Sequence, residues 1–371
     1  MCADIEKDDD LLLGNTVRID TDKVKSTPAR TDAVKIPRDD RDKAQKRADR
    51  ERARERAIPE KKKRAKMKES VAAPLLAAVL FAFILLSRAL DIEKLAGDGN
   101  VFLVVIVIEL MIFILPGIFY VRIKGTGYVT AMNLRFFPLG AIPMILFSLV
   151  VLICGTILVQ FALFRTGIVS AADGAYEAYA YITTGDDFSS FGKVLYAAVV
   201  FAVIPAICEE FIFRSVIMTE YEKLGGVAAV AAVSLLFAMS HFDAKQFVVY
   251  LFAGIVLSTV AFVTRSVLAT MVIHVLYNLF ALFAQSFVWA LITQSSTTIF
   301  FVFIIASLFL LFLMLSFGEA ERLTKGYARD GQKSEAEKAN KRTQKPIVEA
   351  LLSPTFLICC GIFLLAAMLS K

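Results

Sequence analysis

Histidine is almost missing from this chain: 2 occur in 371 residues, beside 1 Trp, 5 Cys and 10 Pro. Two histidines exclude a His-rich metal cluster, and the signature His-Glu-x-x-His does not occur. No Cys-x-x-Cys pair is present, and Cys154, Cys208, Cys359 and Cys360 all lie in apolar runs. A disulfide framework or a Cys-based zinc site is therefore not expected. Charge is scarce too, but only beyond residue 70. Residues 1–70 hold 21 of the 41 Lys+Arg and 16 of the 35 Asp+Glu, which leaves 20 and 19 for the other 301 positions. A chain that is 57% apolar with this distribution cannot build one water-soluble core. Met1 to Asp10 is acidic and has no apolar h-region, so no cleavable signal peptide is expected.

What is present is a charged tail followed by an all-α polytopic membrane protein. Residues 1–70 lack the apolar content for an independent fold. Within them, 41–70 carry 14 basic and 6 acidic groups just before the first apolar run. This pattern suits a positive-inside anchor that meets anionic lipid, and not a nucleic-acid patch. Ala44 to Lys68 has the composition of a surface helix interrupted at Pro59.

Apolar stretches recur at 71–87, 101–121, 138–164, 194–213, 226–242, 247–264, 266–292, 299–317 and 350–370. Each approaches the ~20 residues a helix needs to cross hydrocarbon, so eight or nine spans are expected. Loops 122–137 and 318–349 are net basic, whereas 88–100 and 165–193 are net acidic. With the N-terminal tail in the cytoplasm, the basic loops all fall on the cytoplasmic side. The location expected is that of a multi-pass protein of a prokaryotic plasma membrane. The organisation expected is a tail (1–70), N-terminal spans (71–193), a core (194–285) and C-terminal spans (286–371) with the polar loop 318–349.

Ionisable groups at membrane depth are costly and mark function by default. Glu109 lies in the second apolar run, Glu209 and Glu210 in the fourth, His241 at the end of the fifth and His274 in the seventh. Both histidines of the protein are thus at membrane depth. On a helix, Glu210 faces Arg214 four residues on, while Glu209 points about 100° away and finds no partner on its own helix. Glu210 then reads as structural and Glu209 as free for proton transfer.

Leu224-Gly225-Gly226 marks a turn, and Glu209 and His241 each lie 16 residues from Gly225. At 1.5 Å per residue both sit ~24 Å along antiparallel helices from that turn. His274 and Asn278 share a face of the seventh run, past the turn at Arg265, and can reach the same depth. A carboxylate, two imidazoles and a carboxamide suit hydrolysis by an activated water. Glu209 would take the water proton, His241 would hold the water, and His274 with Asn278 would steady the oxyanion. The metal-assisted version would use zinc on His241, His274 and Glu209 or Glu210. No Ser/His/Asp spacing stands out.

The ordered set Glu-Glu-x-x-x-Arg at 209–214, Phe-x-x-x-His at 237–241 and His-x-x-x-Asn at 274–278 resembles the CAAX-protease and bacteriocin-processing (CPBP, or Abi) family of intramembrane proteases. The resemblance covers roughly residues 194–285. It implies a helical fold with a conical cavity open to the cytoplasm. It also implies that Glu209 activates water, with His241, His274 and Asn278 around it and Glu210, Arg214 and Phe237 in support. The implied partner is a peptide or protein substrate, lipidated in some family members. Family members are described both as metalloproteases and as metal-free glutamate enzymes. The chain departs from the pattern at Ser215, where the family usually has Gly. Two other function classes fit part of the same pattern. A proton-coupled transporter or channel would use Glu109, Glu209 and Glu210 as a relay but has no need of Asn278. A non-catalytic scaffold or bacteriocin-immunity protein would not need the acids at all.

Overall fold

The computed structural model describes residues 73–90, 94, 101–170, 191–294, 296–329, 348 and 350–369. The tail with its basic segment 41–70, the helix expected over Ala44–Lys68, and most of loops 88–100, 165–193 and 318–349 lie outside the described residues.

Among the described residues the secondary structure is helical throughout. In chain order the main helices are α1 (Ala73–Arg88), α2 (Phe102–Lys124), α3 (Thr126–Ala131), α4 (Ile142–Arg165) and α5 (Val194–Glu222). They continue with α6 (Gly226–Ser240), α7 (Phe247–Thr264), α8 (Val267–Phe283), α9 (Gln285–Gln294), α10 (Thr298–Arg329) and α11 (Pro354–Leu369).

Each apolar run of the sequence holds a helix, but not every one is long enough to cross. α2, α4, α5, α7 and α10 have the length and composition of spans. The run 266–292 is instead the pair α8 and α9, bent by 59°, and counts as a sixth span if taken as one. α1, α6 and α11 have only 16, 15 and 16 residues. The described residues thus supply five or six spans by length, and they do not establish the eight or nine expected. Two boundaries also move. The fourth run continues to Glu222, and α10 runs to Arg329, through the first part of the loop expected at 318–349.

Two helices carry widened π turns directly ahead of a proline: Leu110–Ile114 before Pro116, and Val199–Val203 before Pro205. Proline lacks an N–H and its ring collides with the carbonyl four residues back. A wider turn at that place accommodates the ring while the helix continues. A third π segment, Phe211–Ile217, holds Arg214.

The centre of the molecule is α5 to α8. Gly225 turns the chain between α5 and α6 at φ 115°, and Arg265 turns it between α7 and α8 at φ 52°. Both turns lie at one end of the bundle. α6 and α7 approach closely at Gly254, where a Cβ would stand 3.0 Å from the Ser234 backbone. Gly254 therefore sets the spacing between the helices on either side of His241. The four cysteines described, Cys154, Cys208, Cys359 and Cys360, are free thiols.

Candidate active site

α5 brings two adjacent carboxylates to mid-bundle and treats them differently. The Glu210 side chain is fully enclosed, while that of Glu209 keeps 16% of its surface open. Glu210 Oε1 accepts from Arg214 Nη1 at 2.7 Å, the i,i+4 pair read from the sequence. The π segment does not break this pair, because residues four apart remain on one face. Arg214 is itself buried; its Nη2 lies 3.5 Å from the Gly254 carbonyl, and its guanidinium stacks 4.2 Å above the Phe237 ring. A buried charge pair needs such secondary partners to offset the loss of water.

His274, on α8, stands between the two acids. Its Nδ1 is 2.9 Å from Glu210 Oε1 and its Nε2 is 3.9 Å from Glu209 Oε2. Glu210 Oε1 already accepts from Arg214, so the ring N–H is the donor in the shorter contact. Glu210 therefore orients the His274 ring and leaves Nε2 turned to Glu209. The Glu209 Oε2 atom is enclosed and makes no direct hydrogen bond with the described residues.

Phe237 is the plate between the two histidines. Its ring meets His241 edge-on at 4.9 Å, His274 at 6.0 Å and Phe213 at 5.4 Å. His241 caps the end of α6. Its Nδ1 is 2.9 Å from the Phe237 carbonyl, which can only accept, so Nδ1 carries the proton. The ring stacks on Tyr250 of α7 at 3.8 Å. Asn278, one turn beyond His274, donates from Nδ2 to the Ala202 carbonyl at 3.3 Å.

Glu209, Glu210, Arg214, Phe237, His241 and His274 thus form one connected set. Asn278 joins it through α8 and is turned toward α5. One neighbour carries little sequence signal, and another stands out in it. Tyr250 is one aromatic among many apolar residues, and only its stacking on His241 singles it out. Glu109, a relay candidate in the sequence, has its Oε2 enclosed with no hydrogen-bond partner among the described residues. Ser215, the departure from the family pattern, is fully buried, and its hydroxyl has no hydrogen-bond partner among the described residues. A groove of ≈ 470 Å³, lined by Ile118, Val121, Arg122, Val129 and Phe211 among others, includes none of the polar site residues.

Zinc is the group that the resemblance raises. Among the described residues no three His, Cys, Asp or Glu side chains gather closely enough to hold a metal ion. His241 is turned to Phe237 and Tyr250 and His274 to the glutamates, so the set His241, His274 and Glu209 or Glu210 is not assembled as ligands here. No step below is routed through a metal.

Residues 191–280 match the family described as Type II CAAX prenyl endopeptidase Rce1-like. The matched segment is about a quarter of the chain, runs from α5 to α8, and contains every residue of the connected set. The recognition made on the three sequence motifs thus agrees with an independent family match. No curated protein and no solved structure matches the chain.

Proposed function

We propose that this protein is an intramembrane endopeptidase that hydrolyses a peptide bond with water activated by Glu209. The family match supports a protease of this type and a peptide or protein substrate, and the apolar helices support a multi-pass membrane location. The observation that carries the finer reading is the asymmetric acid pair: Glu210 is closed off and bonded to Arg214 and His274, while Glu209 is partly open and faces His274 Nε2.

The chemistry then follows from which atoms are free. Glu209 removes a proton from water as the water oxygen bonds to the peptide carbonyl carbon. The carbonyl π electrons move to oxygen, where Asn278 Nδ2 donates to the oxyanion, joined by His274 Nε2 when the ring is an imidazolium carrying a proton on both nitrogens. Asn278 Nδ2 has a second N–H for this besides the one given to the Ala202 carbonyl. His241 Nε2, with Nδ1 occupied, is free to accept a hydrogen bond from the water. The proton held by Glu209 passes to the departing amine as the C–N bond breaks. Glu210, Arg214 and Phe237 hold the imidazoles in place and touch no reacting atom.

The test is cleavage of a fluorogenic peptide by the purified full-length protein in detergent, with products identified by mass. Wild type is expected to cleave, and His274→Ala and Asn278→Ala to lose at least tenfold in kcat, in line with removal of an oxyanion donor. Unchanged kcat in both variants would overturn the oxyanion assignment. A chelator arm and a zinc assay on the same samples separate the metal-free from the metal-assisted route.

Two enclosed acid oxygens without hydrogen-bond partners among the described residues, on Glu109 and Glu209, favour a second reading, a proton relay in a transporter or channel. Proton flux in liposomes that is lost in Glu109→Gln, with no peptide cleaved by wild type, would select it.

A further inference from the structure

α6 stops at Ser240, and its last carbonyls lose their helical partners there. Helices commonly stop on a glycine in the left-handed conformation. Here that position is Phe242, at φ 50°, a conformation that a bulky side chain adopts only when its surroundings impose it. The surroundings come from outside the matched segment. Phe242 is 3% exposed and meets Phe81 of α1 edge-on at 5.3 Å. Phe363 of α11 stacks on it at 6.4 Å. Arg88 of α1 donates from Nη2 to the His241 carbonyl at 2.6 Å, and its guanidinium lies 5.6 Å from the Phe242 ring centre. Phe81 and Arg88 are seven residues apart and share one face of α1.

A cation at a helix C-terminus is favoured by the helix dipole, and a charged donor makes the stronger kind of hydrogen bond. The peptide that Arg88 grips is the His241–Phe242 unit. Tying that unit to α1 limits displacement of the His241 Cα, the stem from which the ring reaches the Phe237 carbonyl and Tyr250. We propose that Arg88 is a positioning residue for His241: by bonding the His241 carbonyl it locks the strained turn and fixes the direction of the free ring nitrogen. The catalytic consequence rests on the peptidase reading above, whereas the fixing of the ring does not.

The chain has only 2 histidines, so the full-length protein labelled with ¹⁵N-histidine gives two sets of ring signals, assigned with His274→Gln. Wild-type His241 is expected to show one sharp Nδ1–H tautomer. Arg88→Met is expected to replace it with an averaged signal while His274 stays unchanged, and Arg88→Lys to keep the wild-type signal. Assayed on the same samples, Arg88→Met should lower kcat about ten- to hundredfold at unchanged KM and Tm, as small misplacements of catalytic groups do, and Arg88→Lys should recover most of it. Identical His241 signals in wild type and Arg88→Met would overturn the proposal, as would a kcat loss that only tracks a lower Tm. An inactive wild type with the expected signals would sink the peptidase reading and leave the positioning role standing.

Discussion

α5 and α10 are nearly equal in length, 29 and 32 residues, and both could cross a membrane, yet they are built for opposite surroundings. The most apolar stretch of α10 has none of its residues buried, and Phe303, Leu311, Met314 and Phe317 all point outward. Its charges begin at Glu319 and form exposed pairs, such as Glu321 with Lys325 at 2.5 Å. α5 has 44% of its stretch buried and carries Pro205, Glu209, Glu210, Arg214 and Ser215 at its centre. A helix facing lipid needs only apolar side chains, because its backbone bonds itself. A helix facing other helices can hold charge, provided each charge finds its partner among them. Burial against protein, more than hydropathy, separates the working span from the anchoring one.

That contrast can be broken at several points. The largest effect is expected in the buried pair. Arg214→Ala leaves Glu210 enclosed without its cation and should cost about 3–5 kcal/mol, read as a fall in thermal stability in detergent. Survival at wild-type Tm would mean that the pair does not organise the bundle. Phe237→Ala removes the ring on which Phe213, both imidazoles and Arg214 rest, and should cost about 3–4 kcal/mol and most of the activity. Gly254→Ala pushes a methyl to 3.0 Å from the Ser234 backbone and should cost about 1–3 kcal/mol, with a partial loss of rate as α6 and α7 part. At the other extreme, Leu311→Ala and Phe317→Ala on α10 should move stability by less than about 0.5 kcal/mol. A drop like that of Phe237→Ala would show that α10 is covered by protein and not by lipid.

The sequence made the helical class legible through its apolar runs, and the site through residue type and spacing. The Glu210–Arg214 pair follows from a four-residue offset. The turn at Gly225 follows from a glycine pair, and the expectation of a common depth for Glu209, His241 and His274 from their distances to the turns. What stayed hidden has physical causes. π turns leave no mark in hydropathy, since they change the winding and not the polarity. The bend after Phe283 falls at Ala284, a good helix former, so residue type gives no sign of it. α1, α6 and α11 read as spans because they are apolar, but they stop at 15 or 16 residues. The bond from His274 to Glu210 joins two helices and cannot be read from one helix at a time. Arg88, 153 residues from His241, gives no local sign of that contact.

The central claim is that Glu209 is the base and Glu210 is not. The most direct measurement is the single-turnover cleavage rate of Glu209→Gln, with Tm measured on the same sample. Gln keeps the volume of the side chain but cannot take the water proton. The account predicts a rate at least a hundredfold below wild type at a Tm within a degree or two, consistent with the loss of a general base. Cleavage at the wild-type rate by a folded Glu209→Gln would contradict it.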